Sequence, residues 1–441
     1  MSYLLKQLVR EWRFLLRQKY LVVLLVCTFV MSGFAVYSGL SEVTQQKQTI
    51  ERLKAADLTD LTNVQHKYDD AGSLAYYSFH LTYSSPSNLA FAALGERDIY
   101  PWKHRLNLLA LEGQIYESDA QNAELAQAGK IDFVFVLSAL APLVIILLFH
   151  DLFASERTSG RHDLLVTTAK SYFALWGARI TVRFIAVIIC LMLPFYVGAF
   201  LSSSVLGDVG FITFICVIYL AFWTLLSVWW GKNASSAPRV ASTLIGFWVL
   251  VAFIIPILGD LAINKAVHSP KGGDIVLTQR EAVNGAWDIP KQITMDAFVA
   301  NHPKWTNYTD MQSEFEWKWY YAFQQVGDEK AAKLSHAYQD AARKKYSLAG
   351  FVSWLSPPLL LQRGLTRMAK TDAVAAFRYE SQMRGFHKSL RMFYYPWLFV
   401  KGNPTKAALE NMPSFSKTIL NEQKKLSNVD TISHFKLQGR I

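Results

Sequence analysis

The sequence is poor in charged residues and nearly free of cysteine. Asp, Glu, Lys and Arg make up 18% of its 441 residues, below the roughly 25% typical of soluble proteins. The three cysteines, Cys27, Cys190 and Cys216, all lie inside apolar stretches. This placement excludes a disulfide framework and a cysteine-based zinc site. Apolar residues reach 52%, which excludes a disordered chain and indicates a membrane protein with water-soluble parts.

Motifs that carry enzyme chemistry are also missing. No His-Glu-x-x-His, no Gly-x-Ser-x-Gly and no methionine cluster is present, so no zinc protease, serine hydrolase or copper site is indicated. The nearest phosphate-loop string, residues 364–371, has Ala369 where the loop needs glycine and follows a Pro-Pro pair. We therefore expect no catalytic residue, metal ligand or bound cofactor in this chain, and expect any ATP to be bound by a partner.

Long apolar stretches are what the sequence does contain. A helix needs about 20 apolar residues to cross a bilayer. Five stretches meet this requirement and predict an all-α integral membrane protein; they are residues 20–41, 131–153, 181–207, 209–231 and 240–262. They hold almost no ionisable residues, which argues against an ion-coupled transporter or a proton relay. Pro142, Pro194 and Pro256 lie inside three of them and either kink the helices or are simply tolerated.

The charges between the predicted spans indicate their orientation. Five basic residues and only Glu11 precede the first span, whereas segment 42–130 holds eight basic and twelve acidic residues. Because Lys and Arg favour the cytoplasmic side, we expect a cytoplasmic N terminus and periplasmic segments at 42–130 and 263–441. The net charge of +11 is then a topology signal and does not indicate nucleic-acid binding. Residues 154–180 and 232–239 become cytoplasmic connectors.

A sixth span is a weaker alternative. Residues 346–362 are apolar but short, and they contain Ser356-Pro357-Pro358. Proline leaves backbone groups without partners in lipid. Residues 260–441 also carry nine more positive than negative charges, although long segments follow the charge rule poorly. The side of the membrane on which the C terminus lies stays open.

Outside the spans, the hydrophobic periodicity predicts helices. Residues 1–19 combine a basic stripe with an apolar face, as in an interfacial helix, although an extension of the first span fits equally well. The first span is predicted to continue outward past Val64. Further helices are predicted at 104–127, at 311–346 with a break near Gly327, and at 373–395.

The connector after the second span is the most informative stretch. It offers a charged turn, a glycine break and a short Leu-Leu helix that could dock into a protein groove. Its order Asp-x-x-x-x-Glu-Arg-x-x-Gly-x-x-x-Leu-Leu resembles the signature loop of ABC-2 type permeases. The residues that carry the pattern are Asp151, Glu156, Arg157, Gly160, Leu164 and Leu165. Read without the resemblance, the stretch is only a basic interhelical connector.

The later segments resemble one subgroup of these permeases, a family often labelled as multi-copper enzyme maturation permeases. The likeness rests on the large segments outside the spans, on Leu355-Ser-Pro-Pro358, and on Thr371-Asp372 followed by Phe377. It implies a six-span fold, a dimer with a second permease copy or paralogue, and separate cytoplasmic ATPase subunits. In that setting the connector would be an ATPase-coupling loop. The sequence lacks a clear sixth span, and no residue supports a role in copper chemistry.

These observations favour a permease subunit of an ABC-2 exporter-like transporter in the bacterial inner membrane. It would have no enzymatic activity of its own and would contact membrane lipid. The alternative is a non-transport scaffold whose periplasmic domains bind envelope partners. A membrane-embedded enzyme is disfavoured because His150 and Asp151 at a span end have no catalytic set around them. The substrate and the direction of transport stay undetermined.

Overall fold

The computed structural model describes residues 3–116, 131–168, 171–233 and 236–419. Within these ranges the chain is almost entirely helical, and one two-stranded antiparallel sheet is present. The principal helices are α1 Tyr3–Arg17, α2 Lys19–Lys67, α3 Ala71–Tyr77, α4 Leu111–Tyr116, α5 133–149, α6 Ala154–Thr158, α7 His162–Thr168, α8 Tyr172–Leu201, α9 Leu206–Asn233, α10 Ala237–Ala266, α11 Gly272–Gly285, α12 Lys291–Asn301, α13 Trp317–Leu355, α14 Pro357–Met368, α15 Ala373–Pro396 and α16 Lys406–Glu410. The strands are β1 His80–Tyr83 and β2 Lys103–Leu106.

Five of the described helices are long and apolar enough to cross a membrane, namely α2, α5 with its extension to Thr158, α8, α9 and α10. This confirms the predicted all-helical fold with five such segments and is the pattern of a multi-pass membrane protein. We call these five helices the span bundle. They share a hydrophobic core that includes Leu21, Phe149, Phe195 and Trp223.

Irregular turns interrupt two spans. Helix α5 contains a π-helical turn at Val136–Leu140, and α10 contains one at Leu250–Ile254. Pro142 and Pro256 are the second residues after these turns, whereas Pro194 lies inside the uninterrupted α8. Backbone oxygens in the first turn find side-chain donors in neighbouring helices, because Tyr219 Oη donates to Ser138 O and Trp248 Nε1 to Ala139 O. Such donors compensate for the irregular backbone inside an apolar core.

The N-terminal helix is separate from the first span. Gln18 adopts an extended conformation (φ −87°, ψ 92°) between α1 and α2, so α1 is not a simple extension of the span. Helix α1 instead packs against α8 and α2. Helix α2 then runs for 49 residues, about 74 Å at 1.5 Å per residue, and confirms that the helix of the first span continues past Val64.

The second half of α2, α3, the β-hairpin, α4, α11, α12, α13 and α15 form a unit that we call the head domain. It has its own hydrophobic core, which includes Phe298, Trp319, Phe323 and Phe386. Buried ion pairs tie its helices together. Arg384 binds Glu112 (Nε–Oε1 2.9 Å), and Arg391 pairs with Asp328 at 2.5 Å. Asp328 also accepts the backbone N–H groups of Leu111 and Glu112 and so holds the start of α4.

Two sequence predictions for the head domain are wrong and one is right. Residues 104–127 do not form one helix, because β2 occupies Lys103–Leu106 and α4 spans only Leu111–Tyr116; residues 117–127 lie outside the described residues. The predicted break near Gly327 is absent from α13. A Cβ on Gly327 would lie 2.7 Å from Val283 Cγ2, so this glycine permits close packing against α11. The helix predicted at 373–395 is confirmed by α15.

The segment weighed as a sixth span is a bent pair of helices and not a single span. Helix α13 ends at Leu355, and α14 begins at Pro357. The Ser356 hydroxyl between them donates to Val251 O in the middle of α10 (2.6 Å). Leu361 and Leu365 of α14 then lie buried in the core of the span bundle. The C-terminal part of α13 and α14, residues 338–368, therefore form a hairpin that enters the bundle and returns, which we call the α13–α14 hairpin.

Candidate functional site

The connector after α5 folds into two short helices, α6 and α7. Gly160 separates them with φ +68°, a left-handed conformation, and an added Cβ there would meet open space. Only glycine adopts this conformation at little cost. The glycine break and the short Leu-Leu helix are thus present in the structure. Helix α8 begins at Tyr172, so this helix starts within the predicted connector 154–180.

Glu156 anchors α6 in a buried charge cluster. Its side chain is 7% exposed and binds Arg179 (Oε1–Nη1 2.8 Å) and Arg161 (Oε2–Nε 3.1 Å). Arg179 on α8 also binds Glu11 on α1 (Nε–Oε2 3.0 Å). We call Glu11, Glu156, Arg161 and Arg179 the charge cluster. A buried charge is tolerated only when it is paired and hydrogen-bonded, so the cluster fixes α1, α6 and α8 relative to one another.

The Arg179 guanidinium also packs on aromatic rings. Its central carbon lies 5.2 Å from the Trp176 ring centre and 5.5 Å from that of Phe14. Such cation–π contacts add roughly 0.5–2 kcal/mol depending on desolvation. The sequence marks Glu11 and Arg179 only as topology charges, because their pairing across 168 residues leaves no local pattern.

Asp151 lies in a second contact group, which joins three spans. The Tyr20 hydroxyl of α2 donates to its Oδ2 (2.7 Å), and Arg183 Nη1 of α8 lies 3.5 Å from its Oδ1. Arg183 also donates to Leu148 O at the end of α5. The neighbouring His150 makes a local bond to Leu147 O (3.0 Å). Asp151 therefore ties together the ends of α2, α5 and α8.

Arg157 reaches the end of the fourth span. Its Nη2 lies 2.6 Å from Lys232 O, near the C-terminus of α9. Cations stabilise helix C-termini because the last carbonyl groups lack helical partners. Through Asp151, Glu156 and Arg157, the connector is therefore joined to α2, α5, α8 and α9 and, by way of Arg179, to α1.

Helix α7 differs from this anchored base. None of its residues is buried. Leu164 is 64% exposed and Val166 37%, while Leu165 is half-buried. Phe173, at the start of α8, is 84% exposed. The structure thus combines a rigidly held α6 with a short apolar helix that the described part of the chain leaves uncovered.

The motifs behind the family resemblance have structural roles in the fold. Ser356 is the N-cap of α14, and Asp372 is the N-cap of α15. Thr371 Oγ1 donates to Ala93 O (2.8 Å). Gly364, from the string closest to a phosphate loop, lies inside α14 and not in a strand-to-helix loop. Among the described residues no group of three or more His, Cys, Asp or Glu could hold a metal ion.

Residues 275–418 are similar to a protein family described as a domain of unknown function, DUF3526. The match covers 144 of 441 residues and extends from α11 to just beyond α16, including the α13–α14 hairpin. No curated protein and no solved structure matches the chain. The description of this family names no activity.

Proposed function

We propose that this chain is the membrane-spanning permease subunit of an ABC-2 exporter-like transporter of the bacterial inner membrane. A separate cytoplasmic ATPase would supply the energy by hydrolysing ATP, and this chain would form the path for the substrate. In this arrangement the N terminus and the connector are cytoplasmic, and the head domain is periplasmic. The resemblance of the connector to the family signature and the five span helices support this proposal.

The observation that carries the proposal is the contrast between α6 and α7. Leu164, 64% exposed, offers an apolar side chain of the kind that fits a groove in a partner protein. The anchored α6 and its charge cluster connect that side chain to the spans. Such an arrangement suits a connector that transmits motion from a partner to the spans.

The same contacts define how motion would be transmitted. A displacement of α7 acts on α6 through the Gly160 turn. Glu156 passes it to Arg179 on α8 and, through Arg179, to Glu11 on α1. Asp151 and Arg157 engage α2, α5 and α9 in the same step. The spans would then tilt together and change access to a path at the interface with the second permease subunit.

Helix α10 is the best surface for that second subunit. Within its most apolar 18-residue stretch, only 17% is buried inside the protein. The corresponding share in the other four span helices is 33–61%. Its exposed residues include Leu250, Ile254, Ile257 and Leu261, which follow three- and four-residue steps along one face. A second copy or a paralogue packed there would complete the bundle.

The proposal is tested by purifying the full chain from membranes of its native host and assaying the captured complex. It expects a phosphate-loop ATPase to purify in a fixed ratio with the chain, together with ATP hydrolysis in the eluate. Leu164→Asp should remove both. The matched control is Leu58→Asp, since Leu58 is equally exposed (68%) but lies on the outer part of α2. Purification of the unaltered chain without any ATPase would refute the proposal.

A non-transport scaffold is the second candidate. The head domain has a hydrophobic core separate from that of the bundle, as expected of a domain that binds envelope partners on its own. In that case Leu164→Asp would leave the set of captured proteins unchanged, and no nucleotide hydrolysis would accompany them.

A further inference from the structure

The α13–α14 hairpin encloses a cleft of about 580 Å³. This volume lies within the range of roughly 300–1,000 Å³ that is usual for ligand sites. One face of α13, one face of α14 and the end of α10 form its walls, and the segment 95–100 lies beside it. The cleft has no role in the function proposed above.

The cleft wall formed by α10, α13 and α14 carries charges of both signs, namely Asp260, Lys345 and Arg363. Ser356 at the bottom of the hairpin contacts Val251 halfway along α10. Arg363 lies seven residues later on α14, about 10 Å higher at 1.5 Å per residue. Its guanidinium stacks on Tyr346 (4.2 Å to the ring centre), and its Nη2 donates to Tyr346 O (3.1 Å). Lys345 lines the same cleft.

Arg363 is suited to bind an anion. Within the described ranges no carboxylate lies within ion-pair distance of its guanidinium, and its hydrogen-bonding partner is a neutral carbonyl. An arginine at the depth of a membrane is costly unless water or a counter-charge accompanies it. The far face of the α13 arm carries exposed Phe351, Trp354 and Leu355, which is typical of a surface in contact with lipid.

Two further carboxylates, Glu96 and Asp372, line the cleft. The Tyr346 hydroxyl donates to Asp372 Oδ2 (2.7 Å), and Asp372 also caps α15. Glu96 lines the cleft near Asp372. Burial, together with the neighbouring Asp372 charge, raises the pKa of Glu96. A cation bound between these carboxylates would relieve their repulsion.

We propose that this cleft binds the headgroup of a phospholipid that carries both a phosphate and a primary ammonium. The phosphate binds Arg363 and Lys345, and the ammonium lies toward Glu96 and Asp372. The cleft presents both basic and acidic side chains, as such a zwitterionic headgroup requires. Ala349, Ile263 and Leu359 provide apolar contacts for the glycerol end. The inference rests on the bundle spanning a membrane but not on the ATPase partner.

Native mass spectrometry of the full chain in detergent tests the proposal. The purified protein is incubated with equal amounts of phosphatidylethanolamine and phosphatidylglycerol that carry the same acyl chains. The proposal expects preferential retention of phosphatidylethanolamine. Arg363→Gln should weaken its retention by about tenfold or more, because charge-assisted hydrogen bonds to the phosphate are lost. Lys344→Gln, on the exposed side of α13 and outside the cleft, is the matched control and should leave retention unchanged.

Two further variants separate the parts of the headgroup. Glu96→Gln should abolish the preference for phosphatidylethanolamine and leave phosphatidylglycerol retention intact. If Arg363→Gln does not fold, Lys345→Gln replaces it, with Lys344→Gln on the exposed side of α13 as its control. Equal retention of both lipids by the unaltered protein, or retention unaffected by the cleft variants, would overturn the proposal. If glycerophosphoethanolamine, which has no acyl chains, binds as well as phosphatidylethanolamine, the ligand is not a membrane lipid and the proposal is wrong.

Discussion

Glu156 and Arg179 form a buried ion pair (2.8 Å) that joins the connector helix α6 to the third span. Both side chains are nearly inaccessible, at 7% and 10% exposed. Arg161, which also binds Glu156, is 62% exposed. The buried Arg179 should therefore stabilise the fold through Glu156 more than the exposed Arg161 does, because burial removes the solvent that screens charges at a surface.

This difference predicts unequal effects of two substitutions. Glu156→Gln should destabilise the folded protein by about 2–4 kcal/mol, because the buried Arg179 loses one of its two carboxylate partners. Arg161→Gln should cost less than about 1 kcal/mol, as is usual for exposed pairs. Thermal unfolding of the purified variants in one detergent measures both. Equal effects of the two substitutions would show that the cluster does not depend on burial.

The α13–α14 hairpin predicts a local effect of Ser356. Ser356→Ala removes the bond to Val251 O and the N-cap of α14, and loss of such a cap typically costs about 1 kcal/mol. Hydrogen exchange of the amides in 359–362 should become faster. Ser347→Ala on the exposed side of α13 is the control and should leave exchange unchanged. Unaltered exchange in Ser356→Ala would contradict the anchoring of the hairpin at α10.

The sequence predicted the apolar helices well but not this hairpin. Hydropathy identifies α2, α5, α8, α9 and α10 because each must cover a full membrane thickness with apolar residues. Residues 346–362 have the same composition over a shorter length, and only the Ser356–Val251 contact shows that the chain turns back there. Similarly, four-residue strands separated by 19 residues leave no local signal for β1 and β2.

The candidate site was also predictable only in part. The connector pattern identified Glu156, Gly160 and Leu164 as residues of interest. Their partners could not be found from the sequence, because Glu11 and Arg179 meet only through the packing of α1 against α8. The predicted helix break at Gly327 was wrong for a related reason. Glycine inside a helical pattern often indicates a break, but here its lack of a side chain leaves room for Val283 of a neighbouring helix.

Two buried histidines predict that the free energy of unfolding of the head domain decreases at acidic pH. Burial, with a smaller contribution from Arg105, lowers the pKa of His80 from 6.5 to about 4, and burial lowers the pKa of His387 well below its usual value. The unfolded chain therefore takes up protons near pH 6.5 that the folded chain refuses until lower pH. Stability should be full above pH 6.5 and fall between pH 6.5 and 4, by up to about 3 kcal/mol for His80 alone.

The melting temperature at pH 7.5 and at pH 5 checks this prediction. His80→Phe retains an aromatic ring against Phe386, which lies 5.8 Å from the His80 ring, and should reduce the loss at pH 5. His336→Phe, at an exposed position on α13, should not. An acid-induced loss that is identical in both variants would exclude His80 as a contributor.

The exposed face of α10 predicts a contact with a second permease subunit. With the three native cysteines replaced by alanine, Ile257→Cys should form a disulfide-linked dimer in native membranes under mild oxidation. Leu225→Cys on α9 is the matched control, since Leu225 is similarly exposed (66% against 58%). A dimer from Leu225→Cys and none from Ile257→Cys would place the interface elsewhere.

Site-specific photocrosslinking at α7 in living cells tests the proposed coupling to an ATPase most directly. A photoreactive benzoylphenylalanine replaces Leu164, and the same group replaces Leu58 as a control. We predict that position 164, and not position 58, becomes covalently linked to a cytoplasmic protein with a phosphate-loop ATPase motif. Crosslinking of position 164 only to lipid, or only to envelope proteins without that motif, would contradict the assignment of α7 as the ATPase-binding helix.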